Sequence, residues 1–328
     1  MTASRFLIAI ILTLGTGFTT LPAEAQSAAR LPRVGYLGNT PLAGPDPFAD
    51  GLRALGWIHG RNVIIERRFT EGNVERAPQL AAELVGLAVD VIVAAAPPNV
   101  RAVQRATSSI PVVMFAVSDP VGMGFVESLA RPGGNITGVT SAIPEGFMAK
   151  SLQLIKETIP STARVGVLVN AANPLNYATA SARELAAAAQ TLKIELHSLE
   201  LRGADDIETT MNAGSLRGLD AVFVIGDPLT YRHRKRIHEI AVLHKVPTFV
   251  GPPEYVEGLA LVAYGPSLYD ASRQAAAYVD KILKGAKAAD LPVEQPREYR
   301  LVVNLRAAKA LGLSIPPSLV MRADDVIQ

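Results

Sequence analysis

Cysteine is absent from all 328 residues. Its absence excludes disulfides, thiolate metal sites and cysteine nucleophiles together. Beyond residue 25 no apolar run reaches the ~20 residues that a spanning helix needs, so no integral membrane segment is expected there. Charge of one sign is lacking too: 32 Lys and Arg face 30 Asp and Glu, a net charge of +2. That balance gives no electrostatic footprint for nucleic acid. The one basic cluster, Arg232-His233-Arg234-Lys235-Arg236, reads as a solvated helix face. Catalytic signatures are missing as well, with neither a G-x-S-x-G elbow nor a Walker-type phosphate loop. Gly122-Met123-Gly124 opens like a dinucleotide fingerprint, but Glu127 stands where the third glycine belongs. The five histidines show no H-E-x-x-H and no i, i+4 pairing. No metal and no cofactor is expected, and the chain is read as a non-enzyme.

The N-terminal segment has the parts of a secretory signal. Arg5 precedes the apolar run Phe6–Leu14, which fades through Gly15 and Gly17 to small residues at Ala23 and Ala25. The run is too broken by glycine and threonine to span a bilayer. Cleavage near Ala25 is expected, leaving about 300 residues, enough for two lobes that hold together without disulfides. The leader contains no cysteine to carry a lipid, so the expected location is free in a periplasm.

After Pro32, short apolar runs alternate with longer amphipathic stretches. Strands are predicted at Val34–Leu37, Val63–Glu66, Val89–Ala94 and Pro111–Phe115, and helices at Phe48–Leu55, Ala77–Gly86 and Asn99–Thr107. The runs are apolar throughout, as in strands buried on both faces of a parallel sheet. The cycle then repeats, with strands at Arg164–Val169, Ile194–Leu199, Asp220–Ile225 and Val246–Val250. The second set of helices is predicted at Leu175–Thr191, Asp205–Asn212 and Tyr231–His244. Asn135–Thr140 and Gly258–Tyr264 read as crossing strands. A helix over Ser267–Lys284, a strand at Tyr299–Val303 and a helix over Leu305–Leu311 complete the chain. The fold class is α/β: two doubly wound parallel-sheet lobes joined by short crossing strands.

Ligands of open α/β sheets sit outside the carboxyl ends of the strands. That rule nominates Asn39 and Thr40, Asn99, and Ser118 and Asp119 in the first half, with Asn173, Asp227 and Glu254 in the second. Asp119-Pro120 and Asp227-Pro228 also have the cap-then-proline pattern of a helix start. Capping and cleft-facing roles are both open for these aspartates, and for Asn173-Pro174. Helix N-termini there offer N–H groups to an anionic ligand without any Arg or Lys.

The block from Val117-Ser118-Asp119-Pro120-Val121-Gly122 to Arg131-Pro132-Gly133-Gly134-Asn135-Ile136-Thr137-Gly138 resembles the tryptophan/tyrosine-type substrate-binding family of ABC transporters. Gly51–Trp57, Tyr278–Ala286 and Asp290–Pro296, and Asn304–Gly312 with Arg322-Ala323-Asp324 agree with it in order. The resemblance implies a type I periplasmic-binding-protein fold, capture of a small ligand between lobes, and delivery to an ABC permease and ATPase. A sensory module that hands its ligand to a receptor is the alternative. Pattern and resemblance together imply three crossings, with lobe 1 over 32–138 plus 265–298 and lobe 2 over 139–264 plus 299–328. One departure stands out. Relatives carry a Gly-Thr step where this chain has Ala96-Pro97-Pro98, and two prolines remove two N–H donors. Weaker support for a ligand carboxylate is expected at that loop.

Overall fold

A computed structural model describes residues 30–41, 46–141, 146–173, 179–256, 258–296 and 298–328; the predicted leader lies outside them. The first sheet contains β1 (Arg33–Gly38), β2 (Ile64–Phe69), β3 (Val91–Ala95), β4 (Val112–Val117) and β5 (Ile136–Thr140), in the order β2-β1-β3-β4-β5. Every pairing in it is parallel. Its connections are α1 (Pro47–Ala54), α2 (Ala77–Gly86) and α3 (Pro97–Ala106). All five residues of β3 are buried, as its uninterrupted apolar run requires. On one face Leu84, Val100 and Val103 pack on Ile92 and Met114. On the other, Phe48 and Leu52 of α1 pack with Val93, Val113 and Val139.

The second sheet follows α4 (Phe147–Thr158). It contains β6 (Arg164–Asn170), β7 (Glu195–Leu201), β8 (Ala221–Val224), β9 (Thr248–Val250), β10 (Val262–Gly265), β11 (Arg300–Asn304) and β12 (Asp325–Ile327). Their order is β12-β11-β10-β9-β8-β6-β7, parallel except where β11 meets β10. Its helices are α5 (Thr179–Leu192), α6 (Asp206–Thr210), α7 (Ala213–Leu216), α8 (Pro228–Arg232) and α9 (Arg234–Leu243), followed late in the chain by α10 (Leu268–Leu283), α11 (Leu305–Leu311) and α12 (Pro317–Arg322). Of these, α10 returns to the first sheet. Its Ala271, Ala275, Ala276 and Val279 share one core with α1 and β3. The chain thus passes between the lobes from β5 to α4, from β10 to α10, and again before β11.

Several expectations need correction. The helix expected over Tyr231–His244 is two helices that meet at His233, where φ is −101° and ψ 12°. The first begins four residues before Tyr231 at the Asp227 cap, with Pro228 at N1 and a reciprocal bond between Asp227 and Thr230. The same cap-and-proline pattern at Asp119-Pro120 starts no helix. Asp119 instead accepts from the Gly122 N–H at 2.8 Å and closes a turn. The two strands expected at the crossings also belong to the sheets, β5 to the first and β10 to the second, and each is the last strand before a passage to the other lobe. Helix α4 is an element that the sequence patterns do not predict, although it buries Phe147, Met148, Leu152, Leu154 and Ile155. The basic cluster does more than meet solvent: Arg232 pairs with Glu71 and Arg236 with Glu208.

Candidate functional site

The carboxyl ends of both sheets meet across one cleft. The first lobe contributes Tyr36, Asn39, Thr40, Ala95, Ala96, Phe115, Ala116 and Ser118. The second contributes Phe147, Met148, Ile225, Gly226, Asp227, Pro228, Tyr231, Gly251, Pro252 and Tyr255. Ser141, Pro266, Leu268, Tyr269 and Ser272 close the side where the chain passes between lobes. The cleft encloses about 1250 Å³, its open mouth included, which is room for a small organic solute.

Local backbone chemistry aims these groups. Between Met114 and Val117 the β4 register slips against β5, and Ala116 there has φ +56°. One extra residue on β4 bends the strand end, as a bulge does, and turns Phe115 and Ala116 to the cleft. Ala96, the residue before α3, has φ +70°. Left-handed alanines are rare and concentrate where function maintains strain. Because α3 starts at Pro97 and Pro98, its first two positions have no N–H to offer a ligand.

Asp227 is the most elaborately supported group. One oxygen accepts from Leu229 N at 2.7 Å and Asn170 Nδ2 at 2.8 Å; the other accepts from Asn173 Nδ2 at 2.7 Å. The Asp227 N–H donates to Tyr255 Oη at 2.8 Å and to Thr230 Oγ1 at 3.0 Å. Burial leaves the carboxyl pKa raised, and the donors from Asn170, Asn173, Leu229 and Thr230 pull it only part of the way back. All the named partners of the carboxylate are N–H donors, the set that an ionised acceptor needs. Among the described residues, Asp227 is the only charged side chain on the cleft lining. Burial also raises the phenol pKa of Tyr36 and Tyr255, so both face the site as neutral hydroxyls.

The residues nominated from sequence have different positions. Asn39, Thr40, Ser118 and Asp227 line the cleft. Asn99 is buried beneath it, donating to Asn39 Oδ1 at 3.0 Å and Ala95 O at 2.7 Å, so it braces Asn39. Asn173 is likewise buried and braces Asp227. Asp119 is exposed in its turn. Glu254 lies at a passage between lobes, where it accepts from Ser267 Oγ at 2.6 Å and Tyr269 N at 3.0 Å. Sequence reasoning missed the aromatic walls. Tyr36 packs 5.3 Å from Phe48 and Tyr231 5.0 Å from Tyr255, centroid to centroid. Tyr36 sits inside an apolar run that reads as core, whereas Tyr231, four residues after the Asp227 cap, and Tyr255, next to Glu254, carry a signal of their placement.

Behind Tyr255 lies a buried histidine. One ring nitrogen of His238 is 2.9 Å from Thr248 Oγ1, and the other is 3.1 Å from Tyr255 O. Burial lowers its pKa from 6.5 to about 4. The folded state therefore holds His238 neutral while the unfolded chain takes up a proton. The His238 contribution to stability is full above pH 6.5 and is lost as the pH drops toward 4, by roughly 3 kcal/mol. Urea unfolding across that range should show the loss, and His238→Gln should remove most of this pH dependence. An equally steep profile in that variant would assign the effect to other groups.

Three comparisons bear on what this cleft belongs to. The family model described as ABC transporter substrate binding protein matches residues 42–327. A tyrosine-binding protein of Clostridioides difficile is 26% identical over 267 residues, covering 81% of this chain and 75% of that protein. A conserved domain protein of Vibrio cholerae superposes with a TM-score of 0.83 at 29% identity, over 90% of this chain and all of that one. An ABC domain from Streptococcus pneumoniae, solved in complex with L-Trp, gives 0.81 at 25% identity with the same coverage. In the described residues no helix is long and apolar enough to cross a membrane. A family match over most of the chain, joined to a two-lobed parallel-sheet fold with a solute-sized cleft, shows that this protein belongs to the ABC transporter substrate binding protein family.

Proposed function

We propose that the protein captures a small organic solute between its lobes, in a periplasm, and delivers it unchanged to an ABC permease and ATPase for import. The observation that carries this reading is the cleft itself: aromatic walls from both lobes around one braced carboxylate. Such a site suits a solute with an apolar or aromatic body and a polar, hydrogen-donating end directed to Asp227. The aromatic amino acids named for the C. difficile and S. pneumoniae relatives fit the walls. The leader over residues 1–25 supports export. Closure follows from differential affinity: a solute touching both lobes favours the state in which both are within reach.

The two prolines at the start of α3 favour a solute other than L-tryptophan. They leave its carboxylate without two N–H donors, in a cleft whose lining carries a carboxylate of its own. Calorimetry with the twenty amino acids should therefore show no micromolar tryptophan binding; a micromolar or tighter isotherm would remove this point. The broader reading is tested by denaturing the purified protein and identifying what it releases by mass spectrometry. One small solute, absent from a cleft variant and recovered unaltered, supports capture. A released reaction product would assign an enzyme instead.

A further inference from the structure

Away from the polypeptide passages, the lobes also meet at the cleft rim. The turn after β2 contains two consecutive left-handed residues, Glu71 at φ +57° and Gly72 at φ +76°. That conformation directs the turn at α8 of the second lobe. A Cβ on Gly72 would lie 3.0 Å from Arg232 Cδ and 3.7 Å from Pro228 O, so the approach is close enough to favour glycine. At this contact the Glu71 carboxylate pairs with the Arg232 guanidinium. Each partner is tied to the solute site. The Glu71 N–H donates to Asn39 O at 2.6 Å, and Asn39 lines the cleft. Arg232 is the last residue of α8, whose N-cap is Asp227.

We propose that Glu71 and Arg232 form an interlobe latch that exists only in the closed state, sets its lifetime and thereby raises solute affinity. The inference rests on the reading that the lobes close on a solute. The two side chains remain 38% and 39% exposed, so the pair is a rim interaction that trims opening rather than a core contact that maintains either fold. Exposed pairs of this kind change an equilibrium by about two- to fivefold. Placing two like charges there should shift it by about tenfold. Both effects should shrink at high salt, because rim charges are screened.

A chain without cysteine permits a direct test by spin labelling. Nitroxides at Gln79→Cys on α2 and Lys235→Cys on α9, both exposed positions, report the distance between lobes by pulsed electron resonance. The protein is measured as purified, after unfolding and refolding to strip it, and with L-tyrosine or tyramine added as probes. Glu71→Gln should lower the closed-to-open ratio about two- to fivefold and Glu71→Arg about tenfold. The double reversal Glu71→Arg with Arg232→Glu should restore it. Arg53→Gln, which breaks an exposed pair within α1, should leave it unchanged. If wild type closes and Glu71→Arg closes equally, or if the double reversal restores nothing, the latch is wrong and capture stands. If wild type stays open under every condition, closure on a solute fails, and the latch with it.

Discussion

Asp227→Ala is expected to cost about 4 kcal/mol of stability and to release the captured solute. The cost follows from its partners. The Asn173 amide and the Leu229 N–H lose their acceptor in a buried setting and the Asn170 amide in a half-buried one, at about 1–3 kcal/mol for each buried donor left unsatisfied. Loss of the α8 cap adds about 1 kcal/mol, and local relaxation with water entry offsets part of the sum. Asp227→Asn separates stability from binding because it keeps the volume and the oxygen that accepts from Leu229 and Asn170, and the Asn173 amide can flip to accept from the new Nδ2–H. It should remain folded while solute affinity falls by about tenfold or more, since it replaces a charged acceptor with a neutral one. Chemical unfolding measures the first effect and solute retention through gel filtration the second. An Asp227→Asn protein that purifies with its solute at wild-type occupancy would show that Asp227 serves the fold alone.

Gly138→Ala should be more damaging, at over ~4 kcal/mol, although it lies in a strand and touches no solute. Gly138 sits on β5 at φ +136°, and an added Cβ would fall 2.1 Å from Met114 O and 2.7 Å from Met114 N. Both clashing atoms are backbone of the neighbouring strand, so no rotamer relieves them. The substitution must either part β4 from β5 or rotate a residue out of a conformation that alanine avoids. β4 is also the strand whose bulge places Phe115, Ala116 and Ser118 on the cleft. Any surviving folded fraction should therefore bind solute poorly. Circular dichroism through a thermal ramp tests this; a Gly138→Ala protein melting within a few degrees of wild type would contradict it.

What could be read from the sequence is what leaves a short-range pattern. Strands such as Val91–Ala95 and helices such as Ala77–Gly86 follow from apolar runs and helical periodicity, because burial on both sheet faces leaves a local pattern. Asp227 was legible for the same reason, since a cap followed by proline is a short-range signal. At Asp119 that signal failed: Gly122 and Gly124 interrupt the residues that follow, Gly124 takes φ +67°, and the aspartate closed a turn. The aromatic walls were illegible because Tyr36 and Phe115 have the surroundings of core residues, and only the sheet's end separates a wall from a core. The approach of Gly72 to Arg232 depends on where two lobes meet, which no local pattern encodes.

Capture requires the lobes to close around a solute. Small-angle scattering should be recorded on the protein carrying the solute it purifies with, and again after unfolding, removal of the solute and refolding. A smaller radius of gyration is expected with solute, lost on stripping and regained when the recovered solute is added back. Identical profiles in the three states, with the solute demonstrably bound in the first and third, would contradict it.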